Sequence, residues 1–347
     1  MVAFGGFLLS SPLYCGNFDI IMIKQEWIEK GYICEAVPEN IDLKAEIRRL
    51  CEEKNAVVLA HYYTDGAVQD VADFVGDSLA LAQIAEKTTT DILVMCGVHF
   101  MAETNKILSP EKKVLIPDLN AGCSLAESCP AEELAKFKAQ HPDHKVVAYV
   151  NTSAAVKALT DIVVTSTNAR AVVDSFPKDE KIIFAPDKNL GGYLNAVTHR
   201  NMLLWDGGCH VHEQFSIEKI VELKALNPDA KVLAHPECKS GVLALADFIG
   251  STAAILSFAQ NSEAKQFIVA TESGILHEMM KRCPDKEFIP VPPMTGSCAC
   301  NECAYMRLNT LEKLYNTLKY EWPTVELDEA LREEAKRPIV RMLELSK

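Results

Sequence analysis

Asp73–Ser78 reads DFVGDS, Asp161–Ser166 reads DIVVTS and Asp247–Thr252 reads DFIGST. The three hexapeptides recur at spacings of 88 and 86 residues, and such a period points to repeated supersecondary units. Their surroundings repeat too. Ahead of each lies an apolar run that reads as a buried strand: AVVLA ending at Ala60, KVVA ending at Ala148, KVLA ending at Ala234. His61, Tyr149 and His235 follow directly. Beyond each hexapeptide come a helical pattern, a third strand (DILVMCG from Asp91, KIIFAPD from Lys181, QFIVATE from Gln266), a further helix and a fourth strand (KVLIPD from Lys113, NMLLWDGG from Asn201, EFIPV from Glu287). Strands alternating with helices specify parallel sheets with right-handed crossovers. The expected fold is α/β: three similar three-layer αβα domains with parallel sheets, related by pseudo-threefold symmetry around a central cavity.

The expected boundaries are a leader and N-terminal segment (1–42), three repeat domains (43–128, 129–212 and 213–303) and C-terminal helices packing on the body (304–347). HPDHK from His141 and NPDAK from Asn227 lie near the joins. An amphipathic helix over about Asp328 to Ser346 is expected to pack back on the body, with a kink at Pro338. Residues 1–21 are fairly apolar and hold no Lys or Arg, so the positive start of a signal peptide is missing. Tyr14 before Cys15 fits a lipoprotein site poorly. The stretch reads as a disordered leader or as a start placed too early, with Met22 as the true start, and is expected to be dispensable.

The 347 residues suit two or three domains. An apolar fraction of 48% and a charged fraction of 24% are ordinary for a globular protein, and no run approaches the length needed to span a bilayer. The net charge of −13 argues against nucleic acid as a partner. An anionic substrate then needs a locally positive site. Twelve cysteines scattered through long helix and strand patterns argue for a reducing cytoplasm rather than a disulfide scaffold.

In open α/β sheets ligands bind beyond the carboxyl ends of the strands. First strands end at His61 and Tyr63, Tyr149 and Asn151, and His235 and Glu237; second strands end at Ser78, Ser166, and Ser251 with Thr252. Serines before a helix are ordinary N-caps when taken singly. Three at equivalent strand ends suit oxyanions at helix N-termini. Fourth strands lead to Cys123, Cys209 and the cluster Cys298, Cys300, Cys303. One thiolate from each repeat suits an iron–sulfur cluster with one iron lacking a protein ligand. Zinc is the rival, because CNEC from Cys300 has a zinc-knuckle spacing, though no second CxxC appears. Spacing alone leaves the two metals even. Cys51, Cys96 and Cys283 read as core, and His141, His144 and His199 as surface. His61, His212, His235, Tyr63, Tyr149 and Glu237 supply general acid–base groups.

The stretch Ala60–Ser78, AHYYTDGAVQDVADFVGDS, resembles the opening motif of the quinolinate synthase A family. So do GVHFMAETNKILSPEKKVLIPD from Gly97, YVNTSAAVKA from Tyr149, APDKNLG from Ala185, HPEC from His235, GST from Gly250, CAYMRLNTLEKL from Cys303 and KRPIVRMLEL near the C-terminus. The similarity runs from about Lys44 to the end and favours iron–sulfur over zinc. It implies a central cavity holding one 4Fe–4S cluster on Cys123, Cys209 and Cys303. It implies a transferase-type condensation of iminoaspartate with dihydroxyacetone phosphate, losing phosphate and water, to quinolinate for NAD biosynthesis, with functional coupling to L-aspartate oxidase. His61, Tyr63, Ser78, Tyr149, Asn151, Ser166, His212, His235, Glu237 and Thr252 stand where the family has active-site residues. On chemical grounds Glu237 is the expected general base, with Tyr63 and His235 relaying protons. Ser166, Ser251 and Thr252 are expected to hold phosphate or carboxylate oxygens. Where some members carry CxxCxxC, this chain has Cys298, Ala299, Cys300, then Cys303, which argues against a regulatory disulfide there. The alternatives are another cluster-dependent hydro-lyase acting on a small diacid and an iron–sulfur redox sensor; a sensor wants a basic DNA-binding element, and none is visible.

Overall fold

The computed structural model describes residues 23–294 and 301–346. The leader, Met22, Cys298 and Cys300 lie outside the described residues. Twelve strands form three four-stranded sheets. The first holds β1 (Ala56–His61), β2 (Phe74–Gly76), β3 (Ile92–Cys96) and β4 (Lys113–Leu115). The second holds β5 (Lys145–Tyr149), β6 (Ile162–Val164), β7 (Ile182–Ala185) and β8 (Leu203–Leu204). The third holds β9 (Lys231–Ala234), β10 (Phe248–Ile249), β11 (Gln266–Ala270) and β12 (Glu287–Pro290). The orders are β2-β1-β3-β4, β6-β5-β7-β8 and β10-β9-β11-β12. All pairs within them are parallel, as the alternation of strand and helix requires.

The register explains the repeated hexapeptide. Leu59 pairs with Phe74, Val147 with Ile162 and Leu233 with Phe248, the same offset each time. The leading aspartate closes the start of that ladder. Asp73, Asp161 and Asp247 each accept the backbone N–H of Val58, Val146 and Val232 through Oδ2 at 2.8 Å. Each also donates its own N–H to the same residue's carbonyl. A carboxylate here satisfies a strand-edge donor that no neighbouring strand reaches.

One apolar core runs through the first two sheets and the C-terminal helix, joining Leu59, Leu93, Val147, Phe184, Ile339 and Met342. The third sheet has cores of its own, one of which takes in Tyr62 of the first repeat. The helix Glu329–Leu345 is capped by Asp328, whose side chain accepts from Leu331 N, and runs through the buried Pro338. It packs on the helix Ala154–Ala158 and on β6. The helix Leu311–Tyr320 packs on Leu43–Glu53. Trp27 is buried, with its ring centroid 5.0 Å from that of Tyr320, so the helix Gln25–Lys30 is anchored to the helix Leu311–Tyr320. Among the described residues no helix is long and apolar enough to cross a membrane. Cys96 and Cys283 are buried as expected; Cys51 is only half-buried. His199 is exposed, whereas His141 and His144 are half-buried and pack edge to face.

Candidate active site

The first strands of the first and third repeats end in one kind of turn. In the first repeat Tyr63 N donates to His61 Nδ1 (3.1 Å) and Thr64 N to His61 O. In the third, Glu237 N donates to His235 Nδ1 (3.3 Å) and Cys238 N to His235 O. Each ring accepts at Nδ1, so each carries its proton on Nε2. Burial pushes His61 down to about 4 and His235 down to about 3, so both are neutral donors at neutral pH. Tyr63, Asn151 and Glu237, two residues past the strand-end residues, line the same cavity as those residues.

One cavity receives these groups. It is lined by His61, Tyr63, Ser78, Tyr149, Asn151, Ser166, His212, His235, Glu237 and Thr252, together with Cys123, Cys209 and Cys303. Every site residue expected from sequence is there except Ser251. Its hydroxyl caps the helix Thr252–Asn261 by accepting from Ala254 N at 3.3 Å, and it is absent from the lining. Asp77 does the same for Ser78–Lys87, accepting from Ala80 N at 2.9 Å. The caps therefore stand one residue before Ser78 and Thr252, whose hydroxyls are left for the cavity.

A continuous hydrogen-bond chain crosses the site. Tyr63 OH lies 2.7 Å from Thr252 Oγ1 and 2.8 Å from Thr271 Oγ1. Thr271 Oγ1 lies 3.0 Å from His212 Nε2, and His212 Nδ1 lies 3.1 Å from Glu237 Oε2. Tyr149 OH donates to Glu237 Oε1 at 2.6 Å. Burial pushes the Glu237 carboxyl up, but the His212 and His235 imidazoles and the Tyr149 hydroxyl together hold it below the usual carboxylate range. Burial first, then Glu237, raises Tyr149 and Tyr63 well above an ordinary phenol, so both keep their protons.

Cys123 lies on the loop after β4, before the helix Ser124–Glu127; Cys209 lies after β8; Cys303 lies ahead of the turn Met306–Leu308. Burial pushes Cys123 up to about 12 and raises Cys209 and Cys303. Every described cysteine is a free thiol. Ser124 Oγ lies 2.7 Å from His210 Nδ1, tying the residue after Cys123 to the residue after Cys209.

Sequence reasoning missed Thr271 and Glu272, just past β11. Glu272 is wholly buried and pushed up to about 7 by burial, against the pull of Arg307. It accepts from Cys303 N at 3.0 Å. The signal was present, because QFIVATE ends a third strand on two polar residues. The site is also less positive than an anionic substrate suggests. No Lys or Arg is among the described lining residues. The buried Lys157, brought down to about 8 by burial, lies over the Phe100 ring, 5.3 Å from its centroid, and is not among the lining residues.

Three parallel α/β sheets that each contribute strand-end residues and a cysteine loop to one cavity with acid–base groups define an enzyme acting on small molecules. A family model described as Quinolinate synthetase A protein matches residues 45–344. A quinolinate synthase of Nostoc punctiforme is 60% identical over 306 residues, covering 88% of this chain and 94% of that protein. Those of Chloroherpeton thalassium (59%; 88% and 95%) and Thermosynechococcus vestitus (57%; 89% and 97%) are similarly related. The chain belongs to the quinolinate synthetase A family.

Proposed function

We propose that this cavity condenses iminoaspartate with dihydroxyacetone phosphate, releasing phosphate and water, to give quinolinate for NAD biosynthesis. The observation that carries the reading is the meeting, in one cavity, of three thiols from three repeats with the Tyr149–Glu237–His212–Thr271–Tyr63 chain. In this reading the repeats 43–128, 129–212 and 213–303 are domains related by pseudo-threefold symmetry about a central cavity. The common strand order and register support this division.

Cys123, Cys209 and Cys303 suit a 4Fe–4S cluster: three unpaired thiols, one per repeat, on loops facing the same space. When bound, such a cluster offers an iron without a protein ligand, a Lewis acid for a substrate oxygen. The remaining roles belong to side chains. Glu237, ionised, takes a proton from substrate carbon, and the His212–Thr271–Tyr63 chain carries it onward. Ser78, Ser166 and Thr252, near helix starts, bind carboxylate and phosphate oxygens. Asn151 Oδ1, buried and without a partner among the described residues, accepts an N–H of the substrate. His61 and His235 donate from Nε2 to oxygens that gain charge. Iminoaspartate hydrolyses in water, so coupling to an L-aspartate oxidase in the same cytoplasm fits its supply.

The test is anaerobic turnover with iminoaspartate generated in place and dihydroxyacetone phosphate, read as quinolinate ultraviolet absorbance. Quinolinate formation is expected. Its absence, with dehydration of a different diacid by the same sample, would favour the hydro-lyase reading.

A further inference from the structure

We propose that Cys209, His212 and Glu237 form a metal site that shares only Cys209 with the three-thiol set: in the chain before it takes up its cluster, they hold one divalent transition-metal ion of zinc's chemistry. Their donor atoms all lie within 4.8 Å of one another. His212 Nδ1 is 3.3 Å from Cys209 Sγ and 3.1 Å from Glu237 Oε2. Tetrahedral zinc with ordinary bond lengths separates nitrogen from sulfur by about 3.6 Å and nitrogen from oxygen by about 3.4 Å. Those two edges are a few tenths of an ångström shorter and the third, Cys209 to Glu237, lies within 4.8 Å, so small side-chain rotations bring the three donors onto one ion.

The surroundings are those of a metal site. A metal-ligating histidine usually donates its other ring N–H to a fixed acceptor. Here His212 Nε2 lies 3.0 Å from Thr271 Oγ1. With the proton on Nε2, the Nδ1 lone pair, the sulfur and Oε2 converge on one point. Glu237 Oε1 is held by Tyr149 at 2.6 Å, which leaves Oε2 for the ion. His212 and Glu237 are 2% and 3% exposed, and Cys209 is half-buried. Cys209 and His212 come from one turn and Glu237 from the next repeat. The fourth position opens on the cavity, where water completes the tetrahedron. Binding releases the Cys209 thiol proton to solvent. The site itself rests on this geometry alone. That it excludes the cluster, by taking Cys209, rests on the cluster reading above.

The experiment uses the full chain, stripped of iron by a chelator under anaerobic conditions, and Co2+ alone as the probe. The background variant His141→Ala removes the half-exposed His141–His144 pair, 5.2 Å apart, as a competing site. One Co2+ per chain is expected, with the intense visible bands of tetrahedral cobalt and a sulfur charge-transfer band. His212→Ala and Glu237→Gln should each weaken binding at least about tenfold. Cys123→Ala and Cys303→Ala should bind as well as the parent. Weak octahedral bands only, or loss of the ion in Cys123→Ala or Cys303→Ala, would overturn the site; the latter would put the ion among the three thiols. In a second arm, one equivalent of Zn2+ added before iron and sulfide should block the cluster's visible absorbance. A full cluster forming beside tightly held zinc would overturn the sharing of Cys209 while the cobalt arm still reports on the site.

Discussion

The Tyr149 hydroxyl donates to Glu237 Oε1 at 2.6 Å across 88 residues of sequence, joining the second repeat to the third. The bond does two things. It adds to the His212 and His235 contacts that hold the buried Glu237 carboxyl below its usual range, and it occupies Oε1. Glu237→Gln keeps the shape and removes the base. Quinolinate formation should slow by at least about 100-fold, with the cluster absorbance and thermal midpoint near those of the parent. Near-normal turnover with a lowered midpoint would reduce Glu237 to a structural group.

Thr271 bridges Tyr63 and His212 by a hydroxyl that no other described side chain replaces. Thr271→Val keeps the volume and removes both bonds. Leaving a buried polar group unpaired costs about 1–3 kcal/mol, so kcat should fall by roughly 5- to 150-fold if the chain matters in the transition state. Thr271→Ser should restore most of it. Steady-state kinetics on the two variants separate this from a packing effect, in which Ser would be the poorer substitute.

The three strand-edge aspartates should matter for stability rather than chemistry. Asp161→Ala strands the buried Val146 N–H and should cost roughly 1–3 kcal/mol, read by urea unfolding. Substrate KM should not move. A silent Asp161→Ala would mean that the repeated aspartate has another cause.

Asp70 joins the first repeat to the third. Its Oδ1 lies 2.9 Å from His277 Nε2 and 3.4 Å from Lys281 Nζ, and the His277 hydrogen bond, more than any other contact, holds it down at about 2. A carboxylate depressed on folding stabilises above its unfolded pKa of about 3.9, and that contribution fades as pH falls toward the folded value. The difference in urea midpoint between parent and Asp70→Asn should therefore be larger at about pH 5 than at about pH 2, shrinking between about pH 4 and pH 2. A difference independent of pH would show that the ion pair contributes nothing.

Much of this was legible in the chain. Buried parallel strands are near-continuous apolar runs, so AVVLA, KVVA and KVLA show themselves, and the spacing of the hexapeptides carries over into an identical register. The strand-end residues follow from topology. Local choices within a turn were not legible. Whether Ser251 or Thr252 faces the ligand depends on which hydroxyl the helix start takes, and the sequence ST permits either. Thr271 and Glu272 acquire their roles only through contacts with Tyr63, His212, Cys303 and Arg307, which come from distant parts of the chain. The absence of lysine and arginine among the described lining residues was hidden for the same reason.

The central claim is that one thiolate from each repeat holds a single cluster. Iron and acid-labile sulfide, counted per chain after anaerobic purification, test it most directly. The account predicts about four of each in the parent, their loss in Cys123→Ala, Cys209→Ala and Cys303→Ala, and their retention in Cys298→Ala and Cys300→Ala. A full count in Cys303→Ala with loss in Cys300→Ala would contradict it.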